Sequence, residues 1–179
     1  VSVVGILSAD SMLHMPDFRS YERTFQMLTQ VAGRAGRHNS RGRVILQTKD
    51  PANEVIQQII GNDYKSLFRS QLEERREFHY PPYCRLVDVY LKHRDPHLAD
   101  TLAADMAALL RRVFGDRVLG PDVPFVSRVK LMYIRRLALK IETTASLADA
   151  RHRLLTIQRH LLSLPHYKSA QVYYDVDPM

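Results

Sequence analysis

The chain has 179 residues, 45% of them hydrophobic, which is room for one or two packed domains, and it has no apolar run of membrane-spanning length and no signal-peptide pattern. A single cysteine, Cys84, excludes an internal disulfide and a cysteine-cluster zinc site within these residues, and the eight histidines show no ligand spacing, so no metal site is expected. The net charge is +7, and between residues 111 and 140 eight basic residues stand against two acidic ones, a bias that favours a polyanion, nucleic acid first, as partner of a soluble, cytoplasmic protein.

The chain opens on Val1-Ser2-Val3-Val4-Gly5-Ile6-Leu7, a β-branched run with apolar residues on both faces, which reads as a strand of a covered parallel sheet. The first residue is not methionine, and nothing precedes this run to supply neighbouring strands, so a piece of a longer protein is expected. Asp10 ends the strand, and Ser11–Arg19, with Pro16 inside it, reads as a loop. From Ser20 the positions Tyr21, Phe25, Leu28, Val31 and Ala32 repeat with helical spacing. A polar turn over His38–Gly42 leads to a second buried strand, Arg43–Thr48. Strand, helix and strand at this spacing give a β-α-β piece of a RecA-like α/β lobe over residues 1–50.

Residues 51–80 read as a helical linker. Asp50-Pro51 predicts a helix start, with Asp as N-cap and Pro in the first turn, and the helix runs over 52–60. Gly61-Asn62-Asp63 interrupts it, Tyr64–Glu77 forms the next helix, and the mixed-charge run Glu73–Glu77 reads as a solvated end. Tyr80-Pro81-Pro82-Tyr83 stops helix formation and marks the domain boundary.

Residues 81–179 follow a different pattern. Cys84–His93 alternates as a strand, and Asp95-Pro96 caps a helix reaching Phe114. Arg117–Leu119 is a short strand closed by Gly120-Pro121, and a long strand follows near Leu131–Glu142. Ser146 with Asp149 forms a capping-box pattern before a helix ending by Leu164, and Gln171–Val176 is the last strand. The order β-α-β-β-α-β is that of ferredoxin-like α+β folds. Along the long strand Tyr133, Arg135, Leu137, Leu139 and Ile141 are expected to face the core. Arg136 and Lys140, extended by Arg128 and Lys130, are then expected to form a DNA-binding strip on the open face.

Chemistry concentrates in Gln30-Val31-Ala32-Gly33-Arg34-Ala35-Gly36-Arg37. Two glycines close the helix, and two arginines three residues apart sit at the break with a glutamine one turn before. Planar guanidinium forks on a short glycine-bounded segment suit phosphate oxygens. The plainer reading is a basic helix C-cap, with glycine supplying a left-handed residue. The octapeptide resembles motif VI of superfamily 2 helicases, Q-x-x-G-R-x-G-R. That resemblance implies nucleotide binding by Gln30, Gly33, Arg34 and Arg37. Gln30 would place the attacking water or γ-phosphate, and Arg34 and Arg37 would act as arginine fingers.

Further stretches carry the likeness along the chain: Asp17-Phe18-Arg19-Ser20, Val44-Ile45-Leu46-Gln47-Thr48, Tyr80-Pro81-Pro82-Tyr83, Leu119-Gly120-Pro121 and Asp175-Val176-Asp177-Pro178. In this order they resemble the primosomal replication-restart helicases, the primosomal protein N′ family. The resemblance implies the end of helicase lobe two followed by a C-terminal domain. It implies an ATP- and Mg2+-dependent 3′-to-5′ DNA helicase acting on forked and single-stranded DNA, with single-stranded DNA-binding protein and primosome proteins as partners. Zinc is implied only for an upstream cysteine-rich region. No G-x-x-x-x-G-K-[ST] stretch occurs in these residues, so the chain by itself is expected to be inactive. Residues 81–179 are alternatively a protein-interaction module for an acidic tail, or a structural brace.

Overall fold

The computed structural model describes residues 3–35 and 42–178. Expectations on Val1, Ser2, Gly36, Arg37 and residues 38–41 lie outside the described residues. The chain divides into two compact units, Val1–Phe78 and His79–Met179.

In the first unit β1 (Val3–Ile6) pairs in parallel with β2 (Arg43–Leu46), Val3 opposite Arg43 and Ile6 opposite Leu46. A short helix, α1 (Ala9–Leu13), follows β1 where a loop is expected. Its five residues are too few to display a period, yet Ala9 and Leu13, one turn apart, are both buried. The second helix, α2 (Ser20–Ala32), buries Thr24, Phe25 and Leu28. Asp17 organises its entry, accepting from the Arg19 backbone N–H at 2.9 Å and from Arg23 Nη1 at 2.8 Å.

The helix expected from residue 52 begins later. Helix α3 (Glu54–Ile60) takes Asn53 as its cap, whose Oδ1 accepts from Val55 N at 3.0 Å, and Asp50-Pro51 forms only the turn before it. Asn competes as well as Asp for a helix N-terminus, and here it stands closer to the first apolar pair. Helix α4 (Tyr64–Glu77) is capped by Asp63. Rather than standing apart as a linker, α3 and α4 supply Val55, Ile56 and Leu67 to one apolar cluster with Ala9, Leu13 and Phe25. Nor is the Glu73–Glu77 end wholly solvated, since Arg75 bonds Glu22 at 2.9 Å. Strand β2 is not the buried strand expected: Arg43, Val44 and Ile45 are exposed, because among the described residues only β1 pairs with it.

The second unit is an antiparallel sheet and two helices. Its strands are β3 (Cys84–His93), β4 (Val118–Asp122), the two-residue β5 (Arg128–Val129), β6 (Met132–Glu142) and β7 (Gln171–Val176). The sheet order is β4-β6-β3-β7, every neighbouring pair antiparallel, with β5 hydrogen-bonded to β6. Strand β4 continues through Gly120-Pro121 to Asp122, further than the sequence suggests, because Asp122 regains register opposite Arg136 after an irregularity. Two helices, α5 (Pro96–Phe114) and α6 (Leu147–Ser163), pack on the same side. Leu102, Met106 and Leu110 of α5, with Leu154 and Leu161 of α6, meet Val87, Val89, Leu91, Leu137, Leu139 and Ile141 of the sheet in one core. Residues alternate along a strand, so Leu86, Asp88, Tyr90 and Lys92 of β3 and Ile134, Arg136, Ala138 and Lys140 of β6 occupy the opposite face.

Candidate functional site

In the first unit the chemistry-bearing residues stand where α2 ends. Gly33 does not supply a left-handed residue: its φ of −62° and ψ of −13° are right-handed, and its N–H bonds Thr29 O at 2.9 Å. The helix tightens instead, with Arg34 N to Val31 O at 3.1 Å and Ala35 N to Ala32 O at 3.0 Å. Gln30 and Arg34 are four residues apart and both exposed. Gln30 stands in the last turn of α2, and Arg34 stands two residues beyond its end, in the tightened turn. Arg37 lies outside the described residues.

Asp10, read from sequence only as the end of a strand, stands in the first turn of α1 and ties it to the segment after β2. Its carboxylate accepts from Thr48 Oγ1 at 2.7 Å and from Lys49 N at 3.0 Å, joining the segment after β1 to the segment after β2. The Thr48 hydroxyl foremost, then the Lys49 N–H, holds the carboxyl below its ordinary range. Both segments follow the carboxyl ends of parallel strands, the side on which open α/β sheets bind ligands.

In the second unit the helix-free face carries Arg136 and Lys140, and both are engaged. Arg136 Nη2 reaches Asp122 Oδ2 at 2.7 Å, its Nε reaches Asp122 Oδ1 at 3.2 Å, and Asp88 Oδ2 lies 3.6 Å from Nη1. Asp88 is buried, with Oδ1 lacking a hydrogen-bond partner. Burial pushes its carboxyl up, while the Arg136 charge draws it back. Lys140 Nζ lies 3.8 Å from the centre of the Tyr80 ring, and burial lowers its ammonium. Arg128 stacks on Tyr133 at 4.8 Å, and Lys130 occupies a two-residue turn at φ +55°. Neither Arg128 nor Lys130 has a carboxylate partner among the described residues.

Sequence reasoning missed the aromatic part of this face. Tyr90 and Tyr173 stack at 4.9 Å with planes 10° apart, and Lys92 Nζ sits 4.6 Å over the Tyr173 ring. Their meeting depends on β3 pairing with β7, Tyr90 opposite Tyr173, across more than 80 residues of sequence that carry no local signal of it. Among the described residues no group of histidine, cysteine and carboxylate side chains could hold a metal ion, and no helix is long and apolar enough to cross a membrane.

The described residues thus comprise a β-α-β unit with an exposed glutamine and arginine at a helix end and, in the second unit, a five-stranded antiparallel sheet with two helices on one side. Residues 76–179 match the model of the primosomal protein N C-terminal domain, and the chain belongs to that family. It is similar to the replication restart protein PriA of Bacillus subtilis, with 38% identity over 168 residues, 93% of this chain and 21% of that protein. The PriA of Synechocystis is 32% identical over 181 residues, spanning the whole chain and 21% of the relative. That of Treponema pallidum is 36% identical over 140 residues, or 77% of the chain. The chain therefore spans about a fifth of the length of these relatives.

Proposed function

We propose that the chain is the C-terminal part of an ATP-dependent 3′-to-5′ DNA helicase that restarts replication at stalled forks. The observation that carries this reading is the exposed Gln30–Arg34 pair at the end of α2, in a unit whose strands β1 and β2 run parallel. The relatives' shared name, replication restart protein, supports the biological setting. In this reading the first unit is the end of a RecA-like lobe. Gln30 positions the attacking water, and Arg34 with Arg37 neutralises charge developing on the γ-phosphoryl group of Mg2+-bound ATP held by the rest of the protein. Gly33 lets the backbone lie close to the nucleotide.

The second unit is the ferredoxin-like domain, its strand order matching the split β-α-β arrangement. It contacts forked or single-stranded DNA through its basic residues. Arg128 and Lys130 are the better phosphate ligands, because Arg136 is already neutralised by Asp122 and Asp88. Single-stranded DNA-binding protein and the primosome proteins are its protein partners. In the longer protein, Arg34→Ala lowers DNA-stimulated ATP hydrolysis at least about 10²-fold while nucleotide binding persists, since a finger acts mainly in the transition state. Hydrolysis near the parental rate, measured beside nucleotide binding, removes Arg34 from this role.

A further inference from the structure

The connection between β4 and β6 is unlike the rest of the second unit's surface. Val123 is 60% exposed, Phe125 100%, Val126 56% and Leu131 63%, four large apolar side chains within nine residues. Scattered exposed apolar residues are ordinary, but a contiguous run of them marks an interaction site.

The segment is not a slack loop. Ile134 N donates to Ser127 O at 2.8 Å, Arg128 pairs with Tyr133 and Val129 with Met132, and Pro124 restricts the backbone just before Phe125. Lys130 holds a left-handed φ of +55°, a conformation that a non-glycine residue adopts only where its surroundings impose it. The apolar side chains are thus presented from fixed flanks rather than left over by disorder.

Charge decides what they meet. No acidic residue occurs between Val123 and Ile141, and the aspartate just before, Asp122, is occupied by Arg136. Arg128 and Lys130 therefore give the segment a positive field beside an uncovered aromatic ring. An apolar ring flanked by cations suits a strand with stackable bases and regularly spaced phosphates. A base-paired duplex offers its phosphates but keeps its bases stacked on one another.

We propose that the β4–β6 segment is a binding site for single-stranded nucleic acid, in which Phe125 stacks on an unpaired base and Arg128 and Lys130 hold the flanking phosphates. This rests on the DNA reading of the second unit and adds to it a named stacking residue and a preference for unpaired strands. Val123, Val126 and Leu131 are the other large, exposed apolar side chains of the same segment.

The test uses the full chain and a fluorescein-labelled 20-residue oligothymidylate, with a 20-base-pair duplex in parallel. Phe125→Ala, a fully exposed position that leaves the core untouched, weakens single-strand binding about 5- to 150-fold, the range of one lost base stack. It leaves duplex binding and the slope of log affinity against log salt unchanged, because stacking releases no counterions. Replacing Arg128 and Lys130 with Ala flattens the single-strand slope by about 1.4, or 0.7 per phosphate. The chain has no tryptophan, so Phe125→Trp gives a single reporter whose emission is quenched when the oligonucleotide binds. If the parent chain binds the oligonucleotide and Phe125→Ala binds equally well, the stacking site is refuted while the DNA reading stands. If the parent chain binds neither nucleic acid, both fall. Loss of binding to anionic phospholipid vesicles or of self-association in Phe125→Ala, with oligonucleotide affinity intact, assigns the segment to a membrane or a second copy and overturns the proposal.

Discussion

Arg136 is the residue whose replacement tests the electrostatics of the second unit most directly. It faces Asp88 and Asp122, with Asp175 and Tyr90 as the other titratable neighbours of Asp88. Arg136→Met keeps much of the apolar stem and removes the charge. Asp88, whose side chain is only 5% exposed, is then buried without a counter-charge. Removing one partner of a fully buried pair costs about 3–5 kcal/mol; with Arg136 itself 30% exposed, about 2–3 kcal/mol is expected here. For a unit of this size that is a drop in Tm of about 8–24 °C. The pH dependence carries the sign. Burial raises the Asp88 carboxyl in the folded state, and without Arg136 only the weaker hydrogen bond from Tyr90 opposes it, while Asp175 and Asp122 add to it. A carboxylate raised on folding binds more protons in the native state than in the unfolded chain, so its penalty is present above its folded pKa and fades as pH falls toward the unfolded value. The deficit of Arg136→Met relative to the parent therefore narrows on going from pH 7 to pH 5. Adding Asp88→Asn recovers most of the loss at pH 7. Urea titration read by pulse-labelled hydrogen exchange in the β3 peptide reports this unit separately from the first. A deficit that is the same at both pH values, or a double variant no better than the single one, would refute the reasoning.

Three other outcomes follow from named contacts. Ser146 Oγ accepts from Asp149 N at 3.2 Å, so Ser146→Ala costs about 1 kcal/mol, read as faster exchange of amides in the first turn of α6. Leu102 is wholly buried among the sheet residues, and Leu102→Ala costs about 2–5 kcal/mol in the same urea titration; a smaller loss would mean that the core closes around the gap. Cys84 is buried, its Sγ lies 2.9 Å from His79 O, and burial pushes its thiol up, so at pH 8 it reacts with a thiol reagent at least about tenfold more slowly than free cysteine. Rapid labelling of the native chain would show that the strand end opens.

Local rules made much of this chain legible before any coordinates. Tyr64–Glu77, Cys84–His93, Pro96–Phe114 and Gln171–Val176 were readable from periodicity and caps alone, because each depends on contacts within a few residues or on alternation along one strand. The division of β6 between the core-facing Leu137, Leu139 and Ile141 and the outward Arg136 and Lys140 followed from the same alternation. The Q-x-x-G-R-x-G-R spacing was likewise a property of eight consecutive residues. Tertiary structure decided what sequence distance concealed. The α1 turn shows itself only through the burial of Ala9 and Leu13 against the first unit's other helices. Asp10 acquires a role only when β1 and β2 lie side by side and bring Thr48 to it. The partners of Arg136 sit 48 residues before it and 14 residues before it, and only the order β4-β6-β3 places both carboxylates at one guanidinium. Helix and strand formation are written in near-neighbour spacing, whereas pairing across a sheet is chosen by the whole core, and it is there that the charge of Arg136 was neutralised and Phe125 was left in the open.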